Sequence, residues 1–204
     1  MLAALHPTKK TLVDTVVMLL ETRGVSEITT ELVLEKSGIS KGSLYHHFSD
    51  FSELLEIAQV FLFSAYADST VHNINQLLFV VKSREDLLAG LKEVTRATSA
   101  PELERMRYVR IQAIATSTRS ERTRELLAVE QERITSAIAD LFRESQERGW
   151  GNKNISPRAF GVFTQAYTIG KVIDDFSDQR MDSEKWNQVV DLIFETWFFP
   201  AVTV

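Results

Sequence analysis

Residues 38–48 read GISKGSLYHHF, a stretch whose composition is unusual for a helix that only fills a core. Gly42 falls in the first turn of such a helix, where glycine costs about 1 kcal/mol relative to alanine. Leu44 and Phe48 are at i and i+4, so both can pack inward. The outer face then consists of Lys41, Gly42, Tyr45 and His46. Hydrogen-bond donors around an exposed glycine favour a role in binding a partner.

The residues upstream predict two further helices. Residues 30–37 follow Thr29, which is placed to cap the N-terminus of a helix. Residues 8–23 show helical spacing of apolar residues, and Gly24 stands where a left-handed residue would end that first helix. A three-helix unit is therefore expected near the N-terminus.

The junction between the second and third helices predicts a tight turn. Gly38 is expected in the left-handed conformation, with Leu34 and Ile39 as the apolar pair of a Schellman cap. Ser40 can cap the third helix at once, so the connection is too short for anything but a steep angle between helices. This geometry is typical of a helix-turn-helix motif, here over about 29–48.

The outer face of the third helix has the chemistry expected of a DNA-binding helix. A helix that enters the major groove needs small side chains where its backbone approaches DNA and donors where phosphates pass. Gly42 meets the first need, and the donors are Lys41, Ser43, Tyr45 and His46. The alternative is that Gly42 is tolerated near a helix start and that the exposed aromatics are incidental. The turn and the inward-facing residues favour DNA.

Residues 29–57, which include TTELVLEKSGISKGSLYHHFSDFSELL, resemble the DNA-binding segment of the TetR (tetracycline-repressor-like) family of bacterial transcriptional regulators. The resemblance implies a homodimeric repressor that binds a palindromic DNA operator and is released by a small-molecule effector. It also implies these DNA-binding residues: Thr29, Thr30, Ser40, Lys41, Gly42, Ser43, Tyr45 and His46. His47 is expected to pack or hydrogen-bond within the domain.

Two positions depart from the pattern of the family. Glu31 stands where members often have a basic residue, and Phe51 stands where a phosphate-binding lysine is common. Asp50 and Glu53 instead form a candidate capping box for the fourth helix. We expect weaker phosphate binding than in a typical member, or compensation by the lysines at 9–10.

Composition limits the classes of function. The chain of 204 residues has no cysteine, which excludes disulfides and thiolate metal sites and is typical of a cytoplasmic protein. No segment has the length and apolarity of a signal peptide or a membrane span. The formal net charge is −5, so any DNA binding must depend on local geometry rather than on bulk charge.

The sequence predicts no catalytic residue, no cofactor and no metal site. No two of the four histidines are spaced i, i+4, and there is neither a glycine-rich phosphate loop nor a serine nucleophile elbow. Asp174 and Asp175 are adjacent, so on a helix they point to different sides and are expected in solvent. The competing class is a helical interaction or adaptor protein that does not bind DNA.

The whole chain predicts an all-α fold, with a DNA-binding domain over 1–57 and a helical effector-binding and dimerisation domain over 58–204. A long helix is expected over 120–148, ended by Gly149. Its inward stripe is Leu127, Ile134, Ile138 and Leu141.

The last two helices, over 157–177 and 183–198, are apolar on two faces, which implies a second partner for burial. Pairing with a second copy across a two-fold axis predicts this dimer interface: Phe160, Ile169, Ile173, Phe176, Trp186, Val190, Ile193 and Trp197. The alternative is deep burial of these residues in one large core.

Polar side chains among apolar ones predict a cavity for a mostly apolar effector within 58–180. The candidate ligand-binding residues are Tyr108, Gln112, Thr116, Phe163, Thr164 and Tyr167, with Gln112 and Tyr167 as the main anchors. Each of these polar groups could instead bond within the core or face solvent.

Overall fold

The computed structural model describes residues 6–201, and this part of the chain contains helices and turns but no strand. The helices are α1 Pro7–Leu20, α2 Thr30–Ser37, α3 Lys41–His47, α4 Phe51–Val80, α5 Arg84–Ser99, α6 Glu104–Ser117, α7 Glu121–Glu147, α8 Pro157–Gly170, α9 Val172–Asp175 and α10 Ser183–Ile193. The predicted all-α class is confirmed. No helix within residues 6–201 is both long and apolar enough to cross a membrane.

The long charged helix predicted over 120–148 is confirmed as α7. It ends before Gly149, whose φ of 79° is left-handed, and glycine adopts this conformation without steric cost. All members of the predicted inward stripe are buried: Leu127, Ile134, Ile138 and Leu141.

Gly24 does not end α1 in the left-handed conformation. It is extended, with φ −65° and ψ 152°, and α1 already ends at Leu20. The N–H of Gly24 donates to the carboxylate of Glu27, so the backbone enters a 3₁₀ turn over Val25–Glu27. A side-chain hydrogen bond therefore replaces the expected left-handed cap.

The helix predicted over 157–177 is interrupted after Gly170. The short helix α9 follows, and it contains Asp175, which is buried rather than in solvent as the sequence suggested. Arg107 pairs with Asp175 at 2.6 Å, and Lys171 lies 3.4 Å from the same carboxylate. Burial opposes ionisation of Asp175, but the hydrogen bonds and charges of Arg107 and Lys171 outweigh it and lower its pKa. The break thus lies at Lys171, whose ammonium pairs with the buried carboxylate.

The final predicted helix, over 183–198, also changes character. α10 ends at Ile193, and the chain continues as one π-helical turn over Phe194–Phe198. The N–H of Phe199 donates to the carbonyl of Phe194 at 2.8 Å, an i+5 hydrogen bond. The turn brings three phenylalanines into the core: Phe194, Phe198 and Phe199.

The chain divides into two compact units. Unit 1 comprises the chain up to Ala65 together with Val109–Ala128, and unit 2 comprises Tyr66–Tyr108 and the chain from Val129 onward. Unit 1 therefore extends beyond the segment 1–57 predicted as the DNA-binding domain. The functional boundary at 57 stays a prediction.

The core of unit 1 holds the first three helices together. α1 contacts both α2 and α3, and its side chains Leu12, Val13 and Val16 have no solvent exposure. The other buried members include Ile28, Val33, Leu44, Phe48, Leu54, Ile57 and Phe61. Full burial of one such side chain contributes about 1.5–3 kcal/mol, so this core orients α3.

Unit 2 is built around aromatic rings. Phe142 and Phe160 stack with their ring centroids 4.3 Å apart, and the rings of the π-helical turn surround them. α5 contacts both α8 and α10. α8 lies so close to α7 that a Cβ on Gly161 would be 2.8 Å from the carbonyl oxygen of Thr135. Glycine at 161 is therefore required by packing.

Candidate nucleic-acid interface

The turn between α2 and α3 has the predicted left-handed glycine but a different cap. Gly38 has φ 69°, and its N–H donates to the carbonyl of Leu34 at 3.0 Å. The N–H of Ile39 donates to the hydroxyl of Ser37 at 3.2 Å rather than to a backbone carbonyl. This is the simpler αL motif and not the expected Schellman cap, because the Ser37 side chain takes the second donor.

Thr29 and Ser40 begin the two helices of the motif as predicted. The Thr29 hydroxyl accepts from the N–H of Leu32, and the Ser40 hydroxyl accepts from the N–H of Ser43, both at 3.2 Å. A hydroxyl oxygen that accepts in this way still has its hydrogen to donate. Both side chains can therefore cap a helix and donate to a phosphate.

The third helix has the predicted inner and outer faces. Leu44 is completely buried and Phe48 is 2% exposed, so both belong to the core. Ser43 and Thr30 are half-buried, and the exposed residues are Lys41, Gly42, Tyr45 and His46. An exposed face that presents donors is able to bind DNA bases and phosphates.

Gly42 has no structural reason within the chain to be glycine. Apart from its chain neighbours and the adjacent backbone of α3, no described atom lies within 4 Å of a Cβ built on it, and its φ is not positive. It differs in this respect from Gly38 and Gly161, which backbone conformation and packing explain. Neither packing nor backbone conformation within the described chain therefore requires glycine at this position.

His6 and His47 lie near this face but were not predicted as DNA-binding residues. The ring centroid of His6 lies 4.8 Å from that of His47, and His46 lies 5.1 Å from His47. The ammonium of Lys9 lies 4.8 Å from the centroid of the Phe48 ring. No local sequence pattern joins His6 to His47, because only packing of α1 on α3 brings them together.

The start of α4 is capped by two carboxylates. Asp50 accepts from the N–H of Glu53 at 2.8 Å, as in a capping box, but Glu53 accepts from the N–H and hydroxyl of Ser49 instead of from Asp50. Burial opposes ionisation of Glu53, but the bonds from Ser49 and Arg122 outweigh it and lower its pKa to about 2.

Phe51 and Glu31, the two positions that depart from the TetR-family pattern, differ in burial. Phe51 is half-buried and packs against the core of unit 1, whereas Glu31 is exposed. Of the lysines at 9–10 considered as compensation, Lys10 pairs with Asp14. A lysine at 51 would give up part of this packing.

The predicted effector residues in unit 2 have different environments. The Thr95 hydroxyl donates to the carbonyl of Leu91, so the Tyr167 hydroxyl, 3.0 Å from Thr95 Oγ1, is the donor between them. Burial raises the pKa of Tyr167 to about 12. The hydroxyl of Thr164 is buried without a hydrogen-bond partner. Phe163, whose ring centroid is 5.2 Å from that of Phe198, and Tyr108 are half-buried.

The predicted effector residues in unit 1 are Gln112 and Thr116, both half-buried. The amide oxygen of Gln112 is buried and has no hydrogen-bond partner. A buried acceptor without a donor is destabilising, so a polar ligand group or water is the usual solution at such a site.

An open cleft of about 520 Å³ lies in unit 2, away from the predicted effector residues. Its lining is Arg84, Glu85, Leu88, Ala89, Lys92, Glu195 and Ala201. Arg84 already donates to the carbonyl of Phe199, and Lys92 pairs with Glu195 at 2.5 Å. Among the residues that the structure describes, no group of three His, Asp or Glu side chains is placed to hold a metal ion.

The predicted dimer residues fall into three groups by exposure. Phe160 and Val190 lie in the core of unit 2, so they offer no surface to a second copy. Ile169, Trp186 and Ile193 are half-buried. Three are strongly exposed: Ile173 at 72%, Phe176 at 71% and Trp197 at 69%. Burial in one core therefore accounts for Phe160 and Val190, whereas pairing with a second copy stays a prediction for the exposed residues.

A helix-turn-helix with an exposed donor-bearing face, within an all-helical chain, defines a DNA-binding transcriptional regulator. Residues 12–57 match the family of bacterial regulatory proteins named tetR, and this segment belongs to it. The recognition of a TetR-family regulator from the sequence is confirmed. No curated protein sequence matches the chain.

Solved structures of bacterial regulators share the fold over nearly the whole chain. A putative transcriptional regulator from Saccharomonospora viridis in complex with choline is 17% identical with a TM-score of 0.73, covering 95% of this chain and 98% of that one. NemR of E. coli in its reduced form is 17% identical with a TM-score of 0.67, covering 95% and 100%. FadR, the fatty acid degradation regulator of Bacillus halodurans, is 14% identical with a TM-score of 0.62, covering 93% and 95%.

Proposed function

We propose that the protein is a cytoplasmic repressor that binds a palindromic operator as a homodimer and is released by a small, mostly apolar effector. The observation that best supports DNA contact through α3 is Gly42. Glycine destabilises a helix interior, and at this position neither packing nor backbone conformation requires it. Close approach of the helix backbone to DNA is the requirement that it meets.

Gly42→Ala tests this proposal, because it separates stability from binding. The added methyl group meets no atom of the chain, so the free energy of unfolding should rise by about 0.5–1 kcal/mol. Affinity for DNA should fall at the same time, since the methyl group occupies the space between helix and groove. Urea unfolding and fluorescence anisotropy with an operator selected from a random library measure the two effects. A variant that is more stable and binds DNA undiminished contradicts the proposal.

A homodimer would present two recognition helices to the two halves of a palindromic operator. Two recognition helices must lie about 34 Å apart to enter successive major grooves on one face of DNA. The exposed side chains Ile173, Phe176 and Trp197 are candidates for the contact between copies, because large apolar groups at the surface are often covered in oligomers. A pseudo-palindromic selected operator would support this arrangement.

Effector binding would act by population shift. A ligand that binds one spacing of the two recognition helices more tightly than another changes DNA affinity by that difference. We propose two polar anchors separately, one within each unit: the buried amide oxygen of Gln112 in unit 1 and the buried hydroxyl of Thr164 in unit 2, both without a hydrogen-bond partner. The predicted anchor Tyr167 already donates to Thr95. The choline complex of the Saccharomonospora viridis regulator supports a small organic effector for this fold.

A thermal-shift screen of apolar and amphiphilic small molecules tests the effector proposal. A true effector should raise the melting temperature of the wild type and lower its affinity for the selected operator. The gain in melting temperature should shrink in Thr164→Val or Gln112→Ala. Compounds that stabilise both variants as strongly as the wild type would exclude these two anchors.

A further inference from the structure

Three of the four histidines of the chain lie together beside the outer face of α3. His6 precedes α1, while His46 and His47 are the last two residues of α3. The His47 ring lies 4.8 Å from that of His6, at a tilt of 31°, and 5.1 Å from that of His46. His6 and His46 are exposed and His47 is half-buried. We call these three residues the imidazole cluster.

The surroundings of the imidazole cluster are cationic. The charged and titratable groups that act on His47 are His6 and Lys9 at the start of α1 and His46 on α3. The carboxylate of Asp14, on α1, is paired with Lys10. In the free protein, partial burial and then the charges of His6, His46 and Lys9 lower the pKa of His47. Within residues 6–201, no carboxylate is therefore among the groups that act on His47.

We propose that the imidazole cluster is a phosphate-binding site at the edge of the DNA interface, which takes up protons when a backbone phosphate of DNA binds to it. This inference rests on the proposed DNA-binding function of α3 and adds residues His6 and His47, as well as a regulation by pH. A phosphate supplies the missing anion and favours the imidazolium form. DNA affinity therefore increases as the pH falls below neutrality.

The three imidazoles do not contribute equally to proton uptake. The N–H of Thr8 donates to His6 Nδ1 at 3.3 Å, so neutral His6 has its own proton on Nε2. His6 can donate to a phosphate in this neutral form, and charging it would break the cap of α1. His46 and His47 make no such hydrogen bond to a backbone N–H. The proton uptake is therefore assigned to these two.

The experiment measures binding of a fluorescent random-sequence duplex by the full chain at constant ionic strength, from about pH 8 to about pH 5.5. Uptake of one proton on binding increases DNA affinity by up to about tenfold for each pH unit of decrease. For the wild type we expect an increase of about threefold to tenfold per pH unit. His47→Gln and His46→Gln should each flatten this dependence. His72→Gln is the matched control, because His72 is exposed on α4 in unit 2, and its profile should equal that of the wild type.

His47→Lys tests the effect of a positive charge at this position directly. If this variant binds DNA well, weak binding by His47→Gln cannot be explained by an unfolded protein. A permanent cation at this position should strengthen binding at about pH 8, remove most of the pH dependence, and steepen the salt dependence by nearly one phosphate contact. Circular dichroism checks that all variants keep their helices. A His47→Lys variant that binds no better than wild type at high pH contradicts the inference.

Further outcomes separate this inference from the proposed function. Binding of the duplex with the same affinity at every pH would overturn the imidazole site but leave DNA binding intact. Failure to bind the duplex at any pH at low salt would overturn DNA binding itself. In NMR titrations, duplex should raise the pKa of His47, whereas inorganic phosphate at the same concentration should not. An equal rise with inorganic phosphate would contradict a DNA site.

Discussion

Glu53 and Arg122, 69 residues apart in the sequence, form an ion pair of 2.7 Å between the start of α4 and the start of α7. The same carboxylate of Glu53 accepts from the N–H and hydroxyl of Ser49, just after the recognition helix. One side chain therefore joins the end of the helix-turn-helix to α7 within unit 1.

Glu53→Gln should lower the free energy of unfolding near neutral pH by roughly 2 kcal/mol, because an amide loses the charge-assisted bonds. The pKa of Glu53 is lowered from 4.5 to about 2, so its stabilisation is full above the ordinary glutamate pKa. This stabilisation is lost as the pH falls from about 4.5 toward about 2. Urea unfolding of both proteins across this range should show the difference shrinking. A difference independent of pH would exclude ionisation of Glu53 as the cause.

Arg122→Ala is the companion variant. The Arg122 side chain is 55% exposed, so its pair is screened and should contribute about 1 kcal/mol or less. The loss should shrink at high salt, whereas the effect of Glu53→Gln should persist because the bonds from Ser49 remain the larger part.

Lys41→Ala and Tyr45→Ala should each weaken DNA binding without changing the fold, since both side chains are exposed on α3. Loss of a base contact costs about 1–3 kcal/mol and relaxes sequence preference, whereas loss of a phosphate contact weakens all sequences alike. Anisotropy with selected and random duplexes distinguishes the two. Met18→Ala, 51% exposed on α1, is the control and should bind normally. Normal binding by both α3 variants would remove α3 from the interface.

Phe51→Lys should strengthen binding of random DNA and steepen its salt dependence by nearly one phosphate contact. The free energy of unfolding should fall by about 1 kcal/mol, because the half-buried ring packs against the core of unit 1. Phe51→Ala provides the comparison, since it removes the ring without adding a charge. Equal DNA affinity of the lysine and alanine variants would mean that this helix end lies away from phosphate.

Ile173→Glu should dissociate the proposed homodimer while leaving each chain folded. The side chain is 72% exposed in a single chain, so a carboxylate there harms folding little but would be buried without a partner between two copies. Sedimentation velocity measures the change. Phe79→Glu is the matched control, because Phe79 is 85% exposed on α4 outside the proposed contact. A monomeric wild type, or equal dimerisation of both variants, would disprove this interface.

Thr164→Val and Thr135→Val form a pair of nearly isosteric changes in unit 2 with opposite expected outcomes. The hydroxyl of Thr164 is buried without a partner, so its removal should be neutral or stabilising. The hydroxyl of Thr135 donates to the carbonyl of Gln131 and accepts from Gln165, so its loss should cost about 1–3 kcal/mol. Thermal unfolding compares them. A destabilised Thr164→Val would indicate that this hydroxyl has a partner in solution.

The helix-turn-helix could be predicted from the sequence because its signals are local. Thr29, Gly38 and Ser40 each act on backbone groups within four residues, so caps and a left-handed turn specify the local geometry of the motif. The Ser37 hydroxyl, which takes the N–H of Ile39, alters only the detail of the cap.

Local patterns also predicted which helices exist but not how they end or what they contact. α1 ends at Leu20, before the hydrogen bond between Gly24 and Glu27. The helix predicted over 157–177 is interrupted at Lys171, which pairs with the buried Asp175. An apolar residue on a two-faced helix can face the core or a partner, and its spacing does not distinguish them. Phe160 is buried in the core, whereas Ile173 is exposed on the single chain.

The imidazole cluster was decided by tertiary structure alone. His6 and His47 come together because α1 packs on α3, and their separation in sequence leaves no pattern to detect. The sequence by itself determined the helix-turn-helix motif, since hydrogen bonds to nearby backbone groups specify it. Which side chains surround that motif was decided only by the packing of helices that are distant in sequence. Burial and charge pairing depend on contacts between such helices, and local sequence patterns do not contain these contacts.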